Sequence, residues 1–233
     1  LIKIGERIIV GLSGGPDSLA MTHALLTLRE SMRIDVIAVH INHMFRGIAA
    51  DEDEAFVIQF CRENHVKCYT FRLRVEDIAK AEGMSFEEAG RKIRYEKFHE
   101  IMVQEKAHKI AVAQNKNDLI ESFFINLFRG AGIEGLASID YLRDGCVIRP
   151  LLDVERGWIE SYCKSNGLKP RVDHTNATND YVRNRVRNEL IPYVAEHFNE
   201  NISETIYKTV NMMKDEKDYW KKRTIDLYGR FSE

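Results

Sequence analysis

The sequence predicts an α/β fold, namely a doubly wound, mostly parallel five-stranded sheet with a C-terminal helical extension. Short apolar runs alternate with helical patterns from the start of the chain, which is typical of parallel strands joined by helices on both faces of a sheet. A glycine-bearing turn, Ser13-Gly14-Gly15-Pro16-Asp17-Ser18, directly follows the first apolar run and opens the first helical pattern. A turn of this kind between a buried strand and a helix is a second indication of the same fold class.

The apolar runs and helical patterns give the elements in order. We predict strands at residues 7–12, 35–41, 68–73, 109–113 and 147–152. Helical patterns cover residues 18–30, 50–65, 85–106 and 118–129. Residues 129–139 are expected to form a glycine-bearing loop, and the mixed-charge stretch 201–228 a long helix or a helical pair.

The composition is that of a globular protein. Of the 233 residues, 44% are hydrophobic and 30% are charged, which excludes a disordered or fibrous chain. With 34 basic and 36 acidic residues the net charge is −2, so any contact with nucleic acid must use a local basic surface. No apolar run reaches the length of a membrane span and no signal peptide pattern opens the chain, so we expect a cytoplasmic protein. The four cysteines form no C-x-x-C pair and are expected to be reduced thiols.

The turn from Ser13 to Ser18 has the features of a phosphate-binding loop. Gly14 and Gly15 let the backbone approach a ligand closely, and N–H groups at a helix start attract phosphate. The two serines add hydroxyl donors, and Asp17 is placed to hold a cation that bridges phosphates. The spacing matches neither G-x-x-x-x-G-K-[ST] nor G-x-G-x-x-G. The alternative is a plain turn with a serine cap, but the position after a buried strand favours the phosphate-binding interpretation.

Polar side chains also follow two other predicted strands at the points where these strands end. His40 and Asn42 close the second strand, and Gln114 follows the fourth. Ligands of doubly wound sheets bind outside the carboxyl ends of the strands, so we expect these residues and the glycine loop to meet at one crevice. The structural alternatives are a buried strand histidine for His40 and a turn residue for Asn42.

Two carboxylates lie near the start of the fourth helix. Asp118 and Glu121 are three residues apart and therefore share a helix face. Beside a crevice they suit a cationic substrate group. The alternative is a solvated acidic first turn that favours the helix dipole.

Two groups of arginines are the local candidates for contact with a nucleotide or RNA. Arg91 and Arg94 lie on one helical stripe, while Arg183 and Arg187 share a face with Arg185 between them in sequence. Arginines at this spacing can bind phosphates bidentately, although such residues are more often surface ion-pair partners.

The loop sequence SGGPDS resembles the signature of the PP-loop ATP pyrophosphatases, which cleave ATP between its α and β phosphates. Five further blocks are similar, in the same order, to the tRNA(Ile)-lysidine synthetases: HINHMFRG, EEAGRKIRYEKF, NDLIESFFINLFRGAGIEGLASI, VIRPLLDVER and DHTNATNDYVRNRVRNELIP. The resemblance implies a catalytic PP-loop domain over residues 1–195. Residues 196–233 would form a helical linker or the start of a truncated tRNA-binding region.

The resemblance also implies a reaction, that of a ligase forming a carbon–nitrogen bond. ATP would adenylate the C2 oxygen of the wobble cytidine, position 34, in the isoleucine tRNA with a CAU anticodon, releasing pyrophosphate. The side-chain amine of free L-lysine would then attack C2 and expel AMP, which leaves lysidine. The implied cofactors are ATP and Mg²⁺. The expected setting is the cytoplasm, without a membrane partner, and a homodimer is a further expectation.

The implied roles fall on residues that match the family's motifs. The ATP-binding residues would be Ser13, Gly14, Gly15, Pro16, Asp17, Ser18, His40 and Asn42. The catalytic residues would be Asp17, Asp118, Glu121 and Arg94, with Asp17 linked to Mg²⁺ and with Asp118 and Glu121 binding lysine. The contacts with tRNA or nucleotide would come from Arg91, Arg183, Arg185 and Arg187, and also from Gln114, which stands at a binding position but departs from the motif.

One departure from the family pattern leaves other functions open. Gln114 and Asn115 stand where the family usually has histidines, so no charged or acid–base role is expected at position 114. The alternatives are a tRNA-modifying enzyme that thiolates cytidine and a regulatory module that binds ATP without catalysis. The nearest cysteine pair, Cys61 and Cys68, falls on different predicted elements, which argues against the thiolase.

Overall fold

The computed structural model describes residues 1–45, 47–171 and 182–231. Within these residues the chain forms two units. The sheet unit comprises Leu1–Gln114 and residues 141–171, and the helical unit comprises Asn115–Asp140 and residues 182–231. The boundary expected at residue 195 from the family resemblance stays a prediction.

The sheet unit is built on one six-stranded sheet. Its strands are β1 (Arg7–Gly11), β2 (Asp35–Asn42), β3 (Lys67–Arg72), β4 (Lys109–Ala111), β5 (Leu142–Arg143) and β6 (Val147–Ile148), in the spatial order β3-β2-β1-β4-β6-β5. The five predicted strands are confirmed as the parallel ones, and β5 adds a short antiparallel strand beside β6. The chain runs outward from β1 to β3 and then returns to the other side of β1, which places the switch in strand order between β1 and β4.

Helices connect the strands of the sheet unit and make up most of the helical unit. They are α1 (Pro16–Thr27), α2 (Arg29–Met32), α3 (Ile48–Glu63), α4 (Val75–Glu82), α5 (Phe86–Gln104), α6 (Lys116–Phe128), α7 (Ile133–Leu136), α8 (Arg156–Ser165), α9 (Val182–Arg185), α10 (Ile191–His197) and α11 (Ile202–Phe231), with a π-helical turn at Val186–Leu190 between α9 and α10. No helix among the described residues is long and apolar enough to cross a membrane.

The core of the sheet unit explains the unbroken apolar run of β1. Ile8 and Val10 pack with α1 and α3, whereas Ile9 packs with Phe98 and Ile101 of α5. All three β1 side chains are fully buried because helices cover both faces of the sheet. The doubly wound α/β architecture predicted from the sequence is therefore confirmed.

The helical unit brings α6, α7 and α11 together. Lys116 at the start of α6 forms an ion pair with Glu204 of α11, with 2.6 Å between Nζ and Oε2, and its ammonium lies 4.5 Å from the centre of the Tyr207 ring. Ile206 and Val210 are buried. The long helix predicted for residues 201–228 is confirmed as one continuous helix.

Candidate functional site

The carboxyl ends of β1, β2 and β4 lie side by side at one edge of the sheet unit. These strands are parallel neighbours, with Val10 opposite both Ala38 and Ala111. The glycine loop follows β1, the segment from His40 to Asn42 ends β2, and Gln114 follows β4. The structure therefore brings these predicted site residues to the same edge.

The glycine loop has the geometry of an anion site at a helix start. Gly14 has a φ of +89°, which favours glycine, and a Cβ there would lie 3.3 Å from the ring of Phe56, a close contact that the ring would have to relieve by a small shift. Gly15 precedes α1 and no side chain caps this helix, whose first turn begins with Pro16. The backbone N–H groups of that turn therefore have no side-chain acceptor from a cap and are available to an anion.

The two loop serines have different roles. The Ser18 hydroxyl donates to the Gly15 carbonyl at 3.1 Å and accepts from the Ser13 backbone N–H at 3.2 Å. Since its single hydrogen is used in this way, the Ser13 hydroxyl must be the donor in the 3.0 Å contact between the two side chains. Ser18 is buried and shapes the loop, whereas Ser13 is exposed and can face a ligand.

Two arginines that were not predicted from the sequence donate hydrogen bonds to residues of the glycine loop. Arg156 at the start of α8 donates to Asp17, with 2.7 Å between Nη1 and Oδ2. The backbone N–H of Arg171 donates to the Gly14 carbonyl at 2.9 Å, and its side chain pairs with Glu52 and Asp53 at the start of α3. Both arginines are far from the loop in sequence, and only the folded chain reveals them.

His40 and Asn42 are buried and engaged in hydrogen bonds within the sheet unit. His40 Nδ1 lies 2.9 Å from the Leu12 carbonyl, and because a carbonyl only accepts, this nitrogen carries a proton. The Asn42 amide donates to Asp51 and Glu54, while its oxygen accepts from the backbone N–H of Met44. These side-chain contacts hold the end of β2, and the Asn42 backbone carbonyl also accepts a hydrogen bond from Leu73 N–H at 3.0 Å.

Tyr95 lies at the centre of an arginine cluster, which we define as Arg91, Arg143 and Arg149 around that ring. The guanidinium carbons of Arg91 and Arg143 lie 5.0 Å and 4.0 Å from the ring centre. Arg149 is buried, and its Nε donates to Gln114 Oε1 at 2.5 Å. Burial lowers the pKa of Arg149, and the charges of Arg143 and Arg91 lower it further. The cluster concentrates positive charge in a chain whose net charge is −2.

Gln114 and Arg94 lie beside this cluster. Because Arg149 donates to the Gln114 side-chain carbonyl oxygen, the amide nitrogen of Gln114 is the donor that this contact leaves unused. The environment of Arg94 lowers the pKa of its guanidinium, first through burial by surrounding protein and then through Arg91. Its side chain nevertheless reaches solvent and forms no ion pair with the described residues.

Asp118 and Glu121 lie in the helical unit and already have basic partners there. Arg187 donates to both oxygens of Glu121, at 2.6 Å and 3.0 Å, and its guanidinium is 3.8 Å from Asp118. Asp118 also forms a capping box with Asn115 at the start of α6, as the structural alternative for an acidic first turn expects. Arg183 donates to Ser122 at 3.0 Å and lies 3.7 Å from Glu121.

Burial decides the protonation behaviour of Glu121. Its side chain is 1% exposed, and this desolvation raises its pKa, against the opposing effect of Arg187. In this arrangement a lysine ammonium could contact Glu121 only by replacing Arg187, whereas Asp118 is more accessible at 20% exposure.

The remaining predicted residues are either exposed or outside the described part of the chain. Arg185 lies exposed in α9. Within the quoted sequence blocks, Arg46 and residues 173–181 lie outside the described residues. Among the residues that are described, no three His, Cys, Asp or Glu side chains come together as a metal site.

Comparison with known proteins identifies close relatives. The chain is 44% identical over 222 residues to a tRNA(Ile)-lysidine synthase of Clostridioides difficile, which covers 95% of this chain and 48% of the relative. It is 37% identical over 233 residues to the enzyme of the same name from Caldanaerobacter subterraneus, covering all of this chain and 50% of the relative. The chain thus spans about half the length of the curated relatives it matches.

A solved structure shows the same fold. The U34-tRNA thiolase NcsA from Methanococcus maripaludis, determined with its [4Fe-4S] cluster, superimposes with a TM-score of 0.73 at 19% identity, covering 91% of this chain and 74% of the thiolase. The family model described as the PP-loop domain matches residues 3–194. Since that match covers most of the chain, the protein belongs to the PP-loop domain family, which binds ATP.

Proposed function

We propose that this chain is the PP-loop part of a tRNA(Ile)-lysidine synthase. The observation that carries the proposal is the 44% identity, over nearly the whole chain, to a relative of that name. The cytidine C2 oxygen attacks the α phosphorus of ATP, an O–P bond forms, and the bond to the bridging oxygen breaks to release pyrophosphate. Lysine then forms a C–N bond at C2, and AMP leaves with the former C2 oxygen.

ATP is proposed to bind at the glycine loop of the sheet unit. The backbone N–H groups at the uncapped start of α1 supply donors for phosphate oxygens. Gly14 adopts a φ of +89°, which glycine accepts without strain and which turns the chain from β1 into this helix start. The end of β2, where His40 and Asn42 are fixed, is proposed to lie along the adenosine, which it would contact through its backbone.

Mg²⁺ fits this loop as an ion held mainly by phosphates. Asp17 is the only carboxylate in the loop, and Mg²⁺ commonly uses one or two carboxylates together with substrate phosphates and waters. When bound, the ion would neutralise charge that develops on the pyrophosphate. Asp17 is 26% exposed, so its carboxylate is within reach of such a ligand.

Lysine is proposed to bind at Asp118, with Glu121 in a supporting role. The exposure of Asp118 and its distance from Arg187 leave it able to receive an ammonium group. Glu121 is buried and fixes Arg187 through two hydrogen bonds. Glu121 therefore sets the position of the arginine that borders the site.

RNA contacts are proposed for the arginine cluster and for the arginines of α9 and the π-helical turn. Arg91 presents an accessible guanidinium beside Tyr95, and Arg94 lies one helical turn further along α5. Arg183, Arg185 and Arg187 are the corresponding residues of the helical unit. Guanidinium groups suit phosphate oxygens because their N–H donors match them bidentately. A cytoplasmic location, expected from the sequence pattern and the family resemblance, and a homodimer, expected from the resemblance, stay predictions.

A thiolase is the second candidate, because the matching structure belongs to one. Cys61 and Cys68 do lie near each other: a hydrogen bond between their thiols, together with burial, raises the pKa of Cys61, and it lowers that of Cys68. However, Cys68 is opposite Ala38, in the first half of β3 and away from the carboxyl edge that carries the glycine loop. This position favours a structural role for the pair.

The fate of the α phosphate of ATP tests the proposal. The protein is incubated with Mg²⁺, [α-³²P]ATP and isoleucine tRNA bearing a CAU anticodon, with or without lysine. Without lysine, label should accumulate on the tRNA as the adenylated cytidine. Addition of lysine should move that label into free AMP, because the amine displaces it.

The same label-transfer assay is run in parallel with the Asp17→Asn variant. We expect label transfer to tRNA to fall by about a hundredfold or more, while thermal unfolding shows a folded protein. Label on the tRNA that is released by a sulfur donor but not by lysine would support the thiolase. ATP binding without any label on RNA or any AMP would support the regulatory module.

A further inference from the structure

Arg156 contacts the glycine loop from the first turn of α8. Its Nη1 donates to Asp17 at 2.7 Å, and its Nε donates to Glu160 at 2.8 Å within α8. The guanidinium is 42% exposed, so it lies at the surface of the loop and not beneath it. A guanidinium carries five N–H donors, so contact with Asp17 is compatible with contact to a phosphate oxygen.

The fold fixes α8 against α1, so the position of Arg156 is built into the sheet unit. Ile159 and Cys163 pack against Ala20 of α1. The Cys163 thiol donates to the Pro16 carbonyl at 3.7 Å, and the Tyr162 hydroxyl lies 2.9 Å from His23 Nδ1. Because these contacts run along the helix, Arg156 is held beside the loop even though its own side chain is accessible.

The positive charge of Arg156 balances the negative charge of Asp17 in the glycine loop. Asp17 adds a negative charge at a helix start that otherwise attracts anions, and this charge opposes the approach of a triphosphate. The Arg156 guanidinium compensates it at hydrogen-bond distance. A bound polyphosphate therefore meets a neutralised carboxylate with a cation next to it.

The position of α8 indicates which end of the nucleotide Arg156 meets. The α1 residues Leu19 and Leu25 share a core cluster with α3, which packs on β2 and β3, whereas α8 packs on Ala20. Helix α8 follows β6 in the chain, and in the sheet β2 and β6 lie on opposite sides of β1. A nucleotide whose adenosine lies along the end of β2 would extend its phosphates across the loop toward α8.

We propose that Arg156 binds the β and γ phosphates of ATP and stabilises the departing pyrophosphate. This inference rests on the proposed binding of ATP at the loop, but not on the identity of the group that attacks. When the bond between the α phosphorus and the bridging oxygen breaks, negative charge grows on that oxygen of the pyrophosphate. A guanidinium beside it holds the leaving group without transferring a proton.

Binding of three ligands to the Arg156→Gln variant tests the inference. Isothermal titration with ATP, inorganic pyrophosphate and AMP, each with Mg²⁺, needs neither tRNA nor lysine. We expect the affinities for ATP and pyrophosphate to fall by about tenfold to a hundredfold, since a charge-assisted contact is lost. The affinity for AMP should stay unchanged. Arg156→Lys, which keeps the charge, should recover part of the pyrophosphate affinity.

Arg7→Gln is the matched control. Arg7 pairs with Asp35 at 2.7 Å at the amino end of β1, so this variant removes a similar ion pair at the opposite edge of the sheet. It should leave all three affinities unchanged. Unchanged pyrophosphate affinity in Arg156→Gln would overturn the inference, and so would an equal loss for AMP, which would indicate a distorted loop. A wild-type protein that binds no ATP would instead remove the proposed function, and the inference with it.

Discussion

Glu121 is a carboxylate that the helical unit buries while Arg187 donates to both of its oxygens. Burial raises its pKa above the ordinary value of 4.5, so the environment as a whole disfavours the ionised form despite the arginine. The sequence predicted a carboxylate pair from spacing alone. It could not indicate that Arg187, 66 residues away, would be the partner.

The raised pKa of Glu121 predicts a pH-dependent contribution to stability. A group whose pKa is higher in the folded state stabilises the fold below its unfolded pKa, and this contribution is lost as pH rises through the folded pKa. We therefore expect the difference in free energy of unfolding between wild type and Glu121→Gln to fall as pH rises from about 4 to about 7. Chemical denaturation at several pH values measures this difference.

Glu105→Gln is the control with the opposite sign. Hydrogen bonds from Lys67 and Tyr69 lower the pKa of Glu105, so the corresponding difference should grow as pH rises from the lowered folded pKa through the unfolded value and should level off above it. A Glu121 difference that grew with pH in the same way would show that the ion pair with Arg187 outweighs burial.

At the scale of elements, the glycine loop offers a paired test of shape and of ligand access. Gly14 has a positive φ and an added Cβ would lie 3.3 Å from Phe56, so Gly14→Ala should lower the free energy of unfolding by about 1–3 kcal/mol. Gly15 has an ordinary φ of −71°, and the nearest atom to an added Cβ is Ser13 Oγ at 3.6 Å.

Gly15→Ala should therefore leave unfolding within about 0.5 kcal/mol of wild type. If the loop binds phosphate, the added methyl group should weaken ATP binding measured by titration, because it narrows the approach to the helix start. Equal stability losses for both variants would argue against the described loop geometry.

The elements with long patterns were predictable from sequence, whereas the short ones were not. The helices α1, α3, α5, α6 and α11 show a helical period, and the five parallel strands lie in apolar runs; β6 itself has two residues but belongs to the apolar run 147–152. Strand β5 has two residues, and α8 opens with Arg156-Gly157-Trp158, where an exposed tryptophan hides the period. Helix α8 also carries Arg156, which contacts Asp17 in the glycine loop. Because the helix was not predicted from the sequence, this site residue was not predicted either.

At the scale of the whole molecule, a net charge of −2 means that RNA affinity must come from a few local cations. The arginine cluster around Tyr95 is such a site in the sheet unit. Because few phosphates would be neutralised, the salt dependence of tRNA binding should be shallow.

Removal of one cation tests this expectation. Arg91→Gln should reduce the slope of log K against log salt concentration by about 0.7 to 0.9, the value for one lost phosphate contact. Arg62→Gln, an exposed arginine in the last turn of α3, should leave the slope unchanged. Identical slopes for wild type and Arg91→Gln would place the RNA contact elsewhere.

Transfer of labelled lysine tests the central claim most directly. The protein is incubated with ATP, Mg²⁺, radiolabelled L-lysine and isoleucine tRNA with a CAU anticodon, and a methionine tRNA with the same anticodon serves as the control. The account predicts label that depends on ATP and appears only on the isoleucine tRNA. Release of AMP from ATP in the presence of that tRNA, without any lysine label on the tRNA, would contradict the account.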